Sequence, residues 1–123
     1  MGYDTLGYAP WIPHHGTIVI GENNKIGKFA CLHTSICITA TNKIIGDNFF
    51  CGTGSRLTKC EVLGNNIQVG ANSVVNKSFQ RDGIVIAGAP AEYKKECAPW
   101  YKGSRYEEMV DKIEELRMKI FNN

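Results

Sequence analysis

The three histidines of the chain, His14, His15 and His33, all lie in its first third and carry its most evident chemistry. An imidazole titrates near neutral pH, so its neutral form can take a proton from a reacting hydroxyl group. His33 stands eighteen positions after His15. Because side chains alternate along a strand, we expect these two on one outer face, with His14 facing away from them. This placement requires an element whose repeat matches the spacing of His15 and His33.

Such an element is indicated by an apolar residue at every sixth position, with one additional residue after the fourth. The series is Ile20, Ile26, Leu32, Ile38, Ile45, Cys51, Leu57, Leu63, Val69 and Val75. Glycine follows six of the ten, at positions 21, 27, 46, 52, 64 and 70. A short strand followed by a tight corner predicts a hexapeptide β-helix, in which three units form a coil and stacked strands lie about 4.8 Å apart. Antiparallel hairpins are the alternative, but they would not keep an apolar residue at every sixth position over so long a segment.

The remaining segments complete a single, mainly β domain. We predict an irregular lead-in over residues 1–13, the β-helix over 14–78, a connecting strand and loop over 79–104, and a C-terminal α-helix over 105–121. Residues 39–43 are predicted as a corner enlarged into a small loop. Ser104 and Glu107 form a capping box, and an apolar stripe follows at helical spacing. The stripe could pack on its own prism or against helices of partner subunits.

Composition excludes several classes of function. The chain has 123 residues and a net charge of +2, which indicates neither a nucleic-acid nor a membrane partner. Five cysteines without paired close spacing predict neither a disulfide framework nor a zinc site. The start of the chain lacks a basic region followed by an apolar one, so the default expectation is the cytoplasm.

Four segments carry a resemblance to a known family. They are residues 15–20 (HGTIVI), 45–48 (IGDN), 69–75 (VGANSVV) and 87–91 (AGAPA). In these the chain resembles the hexapeptide-repeat acyltransferases, most closely the serine-acetyltransferase-like branch that includes acetyltransferases of surface polysaccharides. The resemblance implies a left-handed parallel β-helix and a homotrimer with active sites shared between subunits. It also implies an acetyl-CoA-dependent O-acetyltransferase acting on a hydroxyl of a small molecule or of a sugar or polysaccharide precursor.

The resemblance also implies roles for individual residues. The catalytic base corresponds to His15, with His14 and His33 as acceptor-binding residues. The pantetheine arm of acetyl-CoA is expected along the backbone, and its phosphates beside two lysines. This set is Gly52, Thr53, Gly70, Ala71, Lys77 and Lys94. No metal is implied.

Departures from the family pattern leave alternatives open. Serine acetyltransferases have an aspartate immediately before the base, where this chain has His14, and an Arg-His pair in the loop that here is 39–43. A sugar or similar alcohol is therefore expected as acceptor rather than serine. Serine O-acetyltransferase proper, and a non-catalytic trimeric β-helix module, remain as alternatives. A metal enzyme of the γ-carbonic-anhydrase type would need two histidines five positions apart, and the sequence has none.

Overall fold

The computed structural model describes residues 5–121, and their fold is a parallel β-helix with one C-terminal helix. Residues 1–4 of the predicted lead-in, together with 122–123, lie outside the described part. The strands are β1 (Ile18–Ile20), β2 (Lys25–Ile26), β3 (Cys31–Leu32), β4 (Ile36–Ile38), β5 (Ile44–Ile45), β6 (Phe50–Cys51), β7 (Arg56–Leu57), β8 (Val62–Leu63), β9 (Gln68–Val69), β10 (Val74–Val75), β11 (Ile84–Gly88) and β12 (Ala91–Glu96). The helix α1 is Glu107–Phe121.

Every third strand of the repeat pairs in parallel with the next, which makes a three-sided prism. The faces are β1-β4-β7-β10, β2-β5-β8 and β3-β6-β9, and the last continues into β11 and β12. The pairing of β1 with β4 joins Ile18 to Ile36, an offset of three hexapeptide units. Strand β11 extends its face in parallel, and β12 returns antiparallel to it. The predicted β-helix is therefore confirmed.

The predicted apolar series fills the axis of the prism. All ten of its members are buried, and Ile20, the most exposed, is only 6% exposed. Ser55 and Ser73 are also fully buried, and their hydroxyl groups have backbone partners. Ser55 Oγ donates to the Gly70 carbonyl at 2.9 Å, and Ser73 Oγ accepts from the Gly88 amide at 3.1 Å. Burial of these aliphatic side chains is the main source of stability, at about 1.5–3 kcal/mol for each valine, leucine or isoleucine.

The corners of successive coils approach too closely for most side chains. A Cβ atom on Gly46 would lie 2.8 Å from the carbonyl carbon of Gly64 in the next coil. Other corners use asparagine in the left-handed region, as at Asn48 and Asn66, where φ is 60° and 58°. The recurrent glycines and asparagines thus permit the coils to stack.

The predicted loop over 39–43 closes on a buried lysine. Lys43 is 1% exposed, and its ammonium group donates to the Thr39 carbonyl at 2.7 Å and to the Thr39 hydroxyl at 2.9 Å. The Thr41 hydroxyl is a third partner. Burial lowers the pKa of Lys43. The loop therefore caps its own corner of the prism and leaves the stacking of the coils intact.

The part of the lead-in that the structure describes is attached to the first coil. Leu6 bridges in parallel to Ile26, and Trp11 bridges to Cys31. The residues of each bridge are 20 positions apart in the sequence, two more than the 18 positions between Ile18 and Ile36. The difference falls between Trp11 and Ile18, so the corner that carries His14 and His15 is enlarged.

Helix α1 packs on its own prism. Glu114 accepts hydrogen bonds from the Tyr8 hydroxyl at 2.6 Å and from the Lys28 ammonium at 3.1 Å, and Val110 is 3% exposed. The helix begins at Glu107, where the Ser104 hydroxyl accepts from the Tyr106 amide at 3.1 Å. Met109, Leu116 and Ile120 form an exposed apolar stripe beside the docked face of the helix, and Met118 and Phe121 are also exposed. Among residues 5–121, no helix has the length and apolar character needed to cross a bilayer.

Candidate active site

The enlarged corner between Trp11 and Ile18 forms the wall of a cavity of about 470 Å³. Its lining includes Pro13, His14, His15 and Gly16. Gly16 has φ +153°, and a Cβ atom there would lie 2.7 Å from the Thr34 side chain of the next coil. The corner therefore rests directly against the coil that carries His33, and both His14 and His15 are exposed to the cavity.

His14 and His33 lie near each other, although the alternation of side chains predicts that His14 faces away. The His14 and His33 rings lie 6.1 Å apart between centroids. The expectation that His14 faces away from His33 is therefore wrong. The two extra residues of the corner interrupt the alternation of side chains on which that expectation depended. His15 lines the same cavity as His14.

The environment of His33 favours its neutral form. Burial lowers the pKa of His33, and the neighbouring His14 lowers it further. Both effects disfavour the imidazolium, one by desolvation and the other by repulsion between like charges. A neutral ring has one donor and one acceptor nitrogen, so His33 can either donate a hydrogen bond to a hydroxyl group or accept one from it.

The predicted cofactor column is present, but its glycines already have a structural role. His33, Gly52 and Gly70 follow β3, β6 and β9, which are stacked in register. The amides of Gly52 and Gly70 donate to the carbonyls of Val69 and Ile86, each at 2.9 Å. A Cβ atom on Gly52 would lie 2.7 Å from the next coil's backbone. These glycines permit stacking, and their amides are not free donors.

Two other predicted cofactor residues, Thr53 and Ala71, are exposed beside this column. The Thr53 hydroxyl donates to the Thr34 carbonyl at 2.7 Å. This bond fixes the Thr53 side chain on the neighbouring coil, close to the corner at Gly16. Thr53 and Ala71 are therefore the predicted cofactor residues of this column that are exposed to solvent.

The predicted phosphate-binding lysines lie beyond the last coil, and one of them is paired. The Lys77 ammonium lies 2.9 Å from the Glu92 carboxylate, with both side chains at least half exposed. Lys94 is exposed on β12. Ion pairs this exposed contribute little stability, so an incoming phosphate can replace the Glu92 carboxylate on Lys77 at small cost.

A second cavity, of about 250 Å³, adjoins the histidines and has aromatic walls. Its lining is Trp11, Pro13, Cys31, His33, Phe50, Trp100, Ser104 and Tyr106. The segment between β12 and α1 supplies the outer wall, and Trp100 is fixed there by a hydrogen bond from Nε1 to the Phe29 carbonyl at 2.8 Å. Sequence reasoning missed this cavity. The chain's two tryptophans were the available signal, but no periodicity relates positions 11 and 100.

Within the described range 5–121, no group of three histidine, cysteine or acidic residues could hold a metal ion. The buried thiols of Cys31 and Cys51 are also poor metal ligands. Burial raises the pKa of Cys31 to about 11 and that of Cys51 to about 12, so both stay protonated at neutral pH.

Comparison with known proteins finds similarity to serine acetyltransferases. The chain is 30% identical over 98 residues to the enzyme of Staphylococcus epidermidis, covering 74% of this chain and 46% of that one. It is 29% identical over 98 residues to that of Staphylococcus xylosus, covering 74% and 45%. It is 27% identical over 88 residues to that of Synechococcus elongatus, covering 66% and 36%. The chain thus spans less than half the length of these curated relatives. No protein-family model matches it.

A solved structure shares the fold. It is a point mutant of AntD, an N-acyltransferase from Bacillus cereus, in complex with dTDP and coenzyme A. The TM-score is 0.58 at 15% identity, and the match covers 94% of this chain and 74% of that one. At this identity the likeness establishes the architecture only.

Proposed function

We propose that this member of the hexapeptide-repeat acyltransferase family transfers the acetyl group of acetyl-CoA to a hydroxyl group of a small molecule or sugar. The observation that carries the proposal is the pair of exposed imidazoles, His14 and His15, on one wall of a cavity that adjoins the stacked column of His33, Gly52 and Gly70. The serine acetyltransferase relatives support acetyl transfer. The coenzyme A bound to the fold neighbour supports use of an acyl-CoA.

The chemistry needs one base and a site for the thioester. A neutral imidazole takes the hydroxyl proton while the oxygen attacks the thioester carbonyl carbon, contributing about 10²–10⁴-fold in rate. The carbon–sulfur bond then breaks, and the imidazolium returns the proton to the departing thiolate. The products are an acetyl ester and free coenzyme A, and the histidine is regenerated.

His15 is the proposed base, and His14 is the alternative that the geometry favours. The family motif leads to His15, whereas His14 is supported by its ring lying 6.1 Å from that of His33, the proposed acceptor-binding residue. Both rings are exposed to one cavity, so either can reach a bound hydroxyl. The proposed acceptor-binding role of His33 agrees with its neutral, half-buried ring.

Acetyl-CoA is proposed to lie along the stacked column. Thr53 and Ala71 would contact the pantetheine arm, while Gly52 and Gly70 keep the coil surface flat beneath it. The phosphates would meet Lys77 and Lys94 beyond the last coil. Acetyl-CoA as donor fits the proposed cytoplasmic location.

A homotrimer with shared active sites is part of the proposal. The outer face of β1 carries Val19, which is 49% exposed, and α1 exposes Leu116 and Ile120 at 52% and 68%. Apolar surface of this kind supports association, and cyclic symmetry would bury it without leaving open edges. Light scattering should then find about three times the 13.6 kDa chain mass. A fully active monomer would contradict both the trimer and the shared sites.

The test is release of free coenzyme A from acetyl-CoA with a panel of acceptors: methyl pyranosides, simple alcohols, L-serine and primary amines. The proposal expects hydroxyl-dependent release that falls at least a hundredfold in His15→Ala or His14→Ala, with unchanged circular dichroism. Efficient formation of O-acetylserine would instead support a serine O-acetyltransferase. No release with any acceptor from a folded trimer would support the non-catalytic module. Release confined to amines would replace the hydroxyl acceptor.

A further inference from the structure

The aromatic cavity beside His33 has the composition of a ligand subsite. Trp11, Phe50, Trp100 and Tyr106 line it, and each is only partly buried. The Trp11 ring contacts Tyr106 at 4.7 Å and Trp100 at 6.3 Å between centroids. Ligand cavities are lined in this way by aromatic rings with a few polar groups.

The polar groups in these walls are mostly occupied. Trp100 Nε1 donates to a backbone carbonyl, and the Tyr106 hydroxyl accepts from Arg105 at 2.8 Å. The Ser104 hydroxyl donates to the Tyr101 carbonyl at 2.6 Å. The cavity therefore offers its occupant mainly flat apolar surfaces, with the neutral imidazole of His33 among its few polar groups. A hydroxyl group buried against these walls would lose its water without finding a partner, so the occupant must keep its hydroxyl groups at the cavity's open edge.

The size of the cavity limits its occupant to a single ring. Cavities for drug-sized ligands occupy about 300–1,000 Å³, and this one is smaller, at about 250 Å³. A pyranose has carbon-bound hydrogens on its faces and hydroxyl groups at its edge, so it can lie against aromatic walls and direct a hydroxyl outward. A whole nucleotide exceeds the space.

The position of the cavity connects it to the proposed catalytic corner. Pro13 lines both this cavity and the one that contains His14 and His15. His33 lies between them, with its ring 5.0 Å from Phe50 and 6.1 Å from His14. A ring held by the aromatic walls therefore has its edge at the histidines.

We propose that Trp11, Phe50, Trp100 and Tyr106 form an acceptor subsite that binds one face of a pyranose ring and presents a hydroxyl group to His33 and the His14–His15 corner. This assignment deepens the proposed function and rests on it for the identity of the reaction. The claim that this subsite binds a pyranose does not depend on the proposed function. The subsite selects cyclic sugars over open-chain polyols and over serine, because only a ring covers the aromatic walls.

The chain supplies its own reporter, since its two tryptophans both line the subsite. Tryptophan fluorescence is titrated, without acetyl-CoA, against methyl glucopyranoside, methyl galactopyranoside, the corresponding open-chain alditols, L-serine and thymidine. The pyranosides should give a saturable change, and the alditols and serine none. Equal response to alditols, preference for thymidine, or no response to any pyranoside from folded protein would overturn the subsite.

Variants then separate stacking from folding. Trp11→Leu leaves Trp100 as reporter and should weaken pyranoside binding about tenfold, as for removal of one stacked ring. Tyr106→Leu keeps both reporters and should act in the same direction, so it replaces Trp11→Leu if that variant misfolds. The matched control is Tyr93→Leu, an exposed aromatic on β12 outside the cavity, which should bind normally. Unchanged affinity in folded Trp11→Leu and Tyr106→Leu would refute the assignment.

The two proposals fail in different ways. Pyranoside binding without coenzyme A release leaves the subsite standing and removes the acetyltransferase. If coenzyme A is released with hydroxyl acceptors but the aromatic substitutions do not weaken pyranoside binding, the acetyltransferase stands and the subsite is refuted. In an active enzyme, Tyr106→Leu should raise the KM for the pyranoside and leave the KM for acetyl-CoA unchanged, and a rise in both would point to a structural role only.

Discussion

Glu114 on α1 holds the helix on its own prism, and replacing it should release the helix. Glu114 accepts from the Tyr8 hydroxyl and the Lys28 ammonium, and the Arg117 guanidinium lies 3.7 Å above the Tyr8 ring. A hydrogen bond to a charged group contributes about 1.5–3 kcal/mol, and an exposed ion pair about 0.2–1 kcal/mol. The Lys28 and Glu114 side chains are 34% and 35% exposed, so solvent screens part of this interaction. We therefore expect Glu114→Ala to lower the free energy of unfolding by about 1.5–2.5 kcal/mol.

The assay is thermal unfolding at fixed protein concentration, with amide hydrogen exchange of the helix. At about 4 °C for each kcal/mol in a chain of this size, Glu114→Ala should lower Tm by about 6–10 °C and speed exchange in α1. Glu115→Ala is the matched control, because Glu115 is exposed and pairs only loosely, at 3.7 Å, with Lys119. Equal effects of the two substitutions would refute the docking of α1 through Glu114.

Acid should abolish the difference between the wild type and Glu114→Ala. The hydrogen bond from Tyr8 is the main cause that lowers the pKa of Glu114 below 4.5. A carboxylate whose folded pKa is lowered stabilises the fold fully above its unfolded pKa, and this contribution is lost as pH falls through the folded value. The Tm difference should therefore be constant above pH 4.5 and shrink below it. A difference that persists in acid would exclude the carboxylate as its source.

Further predictions concern the histidines and the coil corners. His15→Ala should lower turnover by about a hundredfold or more, because the base is removed. If His14 is the base instead, His14→Ala should show that loss. Near-normal turnover in either variant excludes that residue as the base. His33→Ala should raise the acceptor KM more than it lowers kcat, and an unchanged KM would count against its acceptor role. Wild-type stability should rise with pH from the lowered folded pKa of His33 up to 6.5, since the unfolded chain binds more protons there; His33→Gln should flatten this slope. Gly46→Ala should cost about 1–3 kcal/mol in urea unfolding, because its Cβ overlaps the Gly64 backbone, and wild-type stability would contradict that overlap.

The β-helix could be predicted because each coil obeys the same rule. In each coil an apolar residue such as Leu57 must fill the axis, and a small residue such as Gly46 must leave room for the backbone of the next coil. The sequence therefore shows the same pattern of residue types every six positions. Helix α1 was predictable from its cap and stripe. Its docking was not, because the decisive contact of Glu114 with Tyr8 joins residues 106 positions apart.

The geometry of the site was less predictable. Periodicity stops before Ile20, and the two extra residues of the first corner bring His14 beside His33 instead of opposing it. The aromatic subsite combines Trp11 from the lead-in with Trp100 from the segment before α1. Neither segment has a repeat, so only the folded chain shows that the two tryptophans meet.

The most direct test of the central claim is transfer of a labelled acetyl group. The purified protein is incubated with deuterated acetyl-CoA and a methyl pyranoside, and the sugar is analysed by mass spectrometry. The wild type should form one deuterated acetyl ester per sugar, and the variant with alanine at both His14 and His15 should form none. An unlabelled sugar, from folded protein that binds acetyl-CoA, would contradict the proposed transfer.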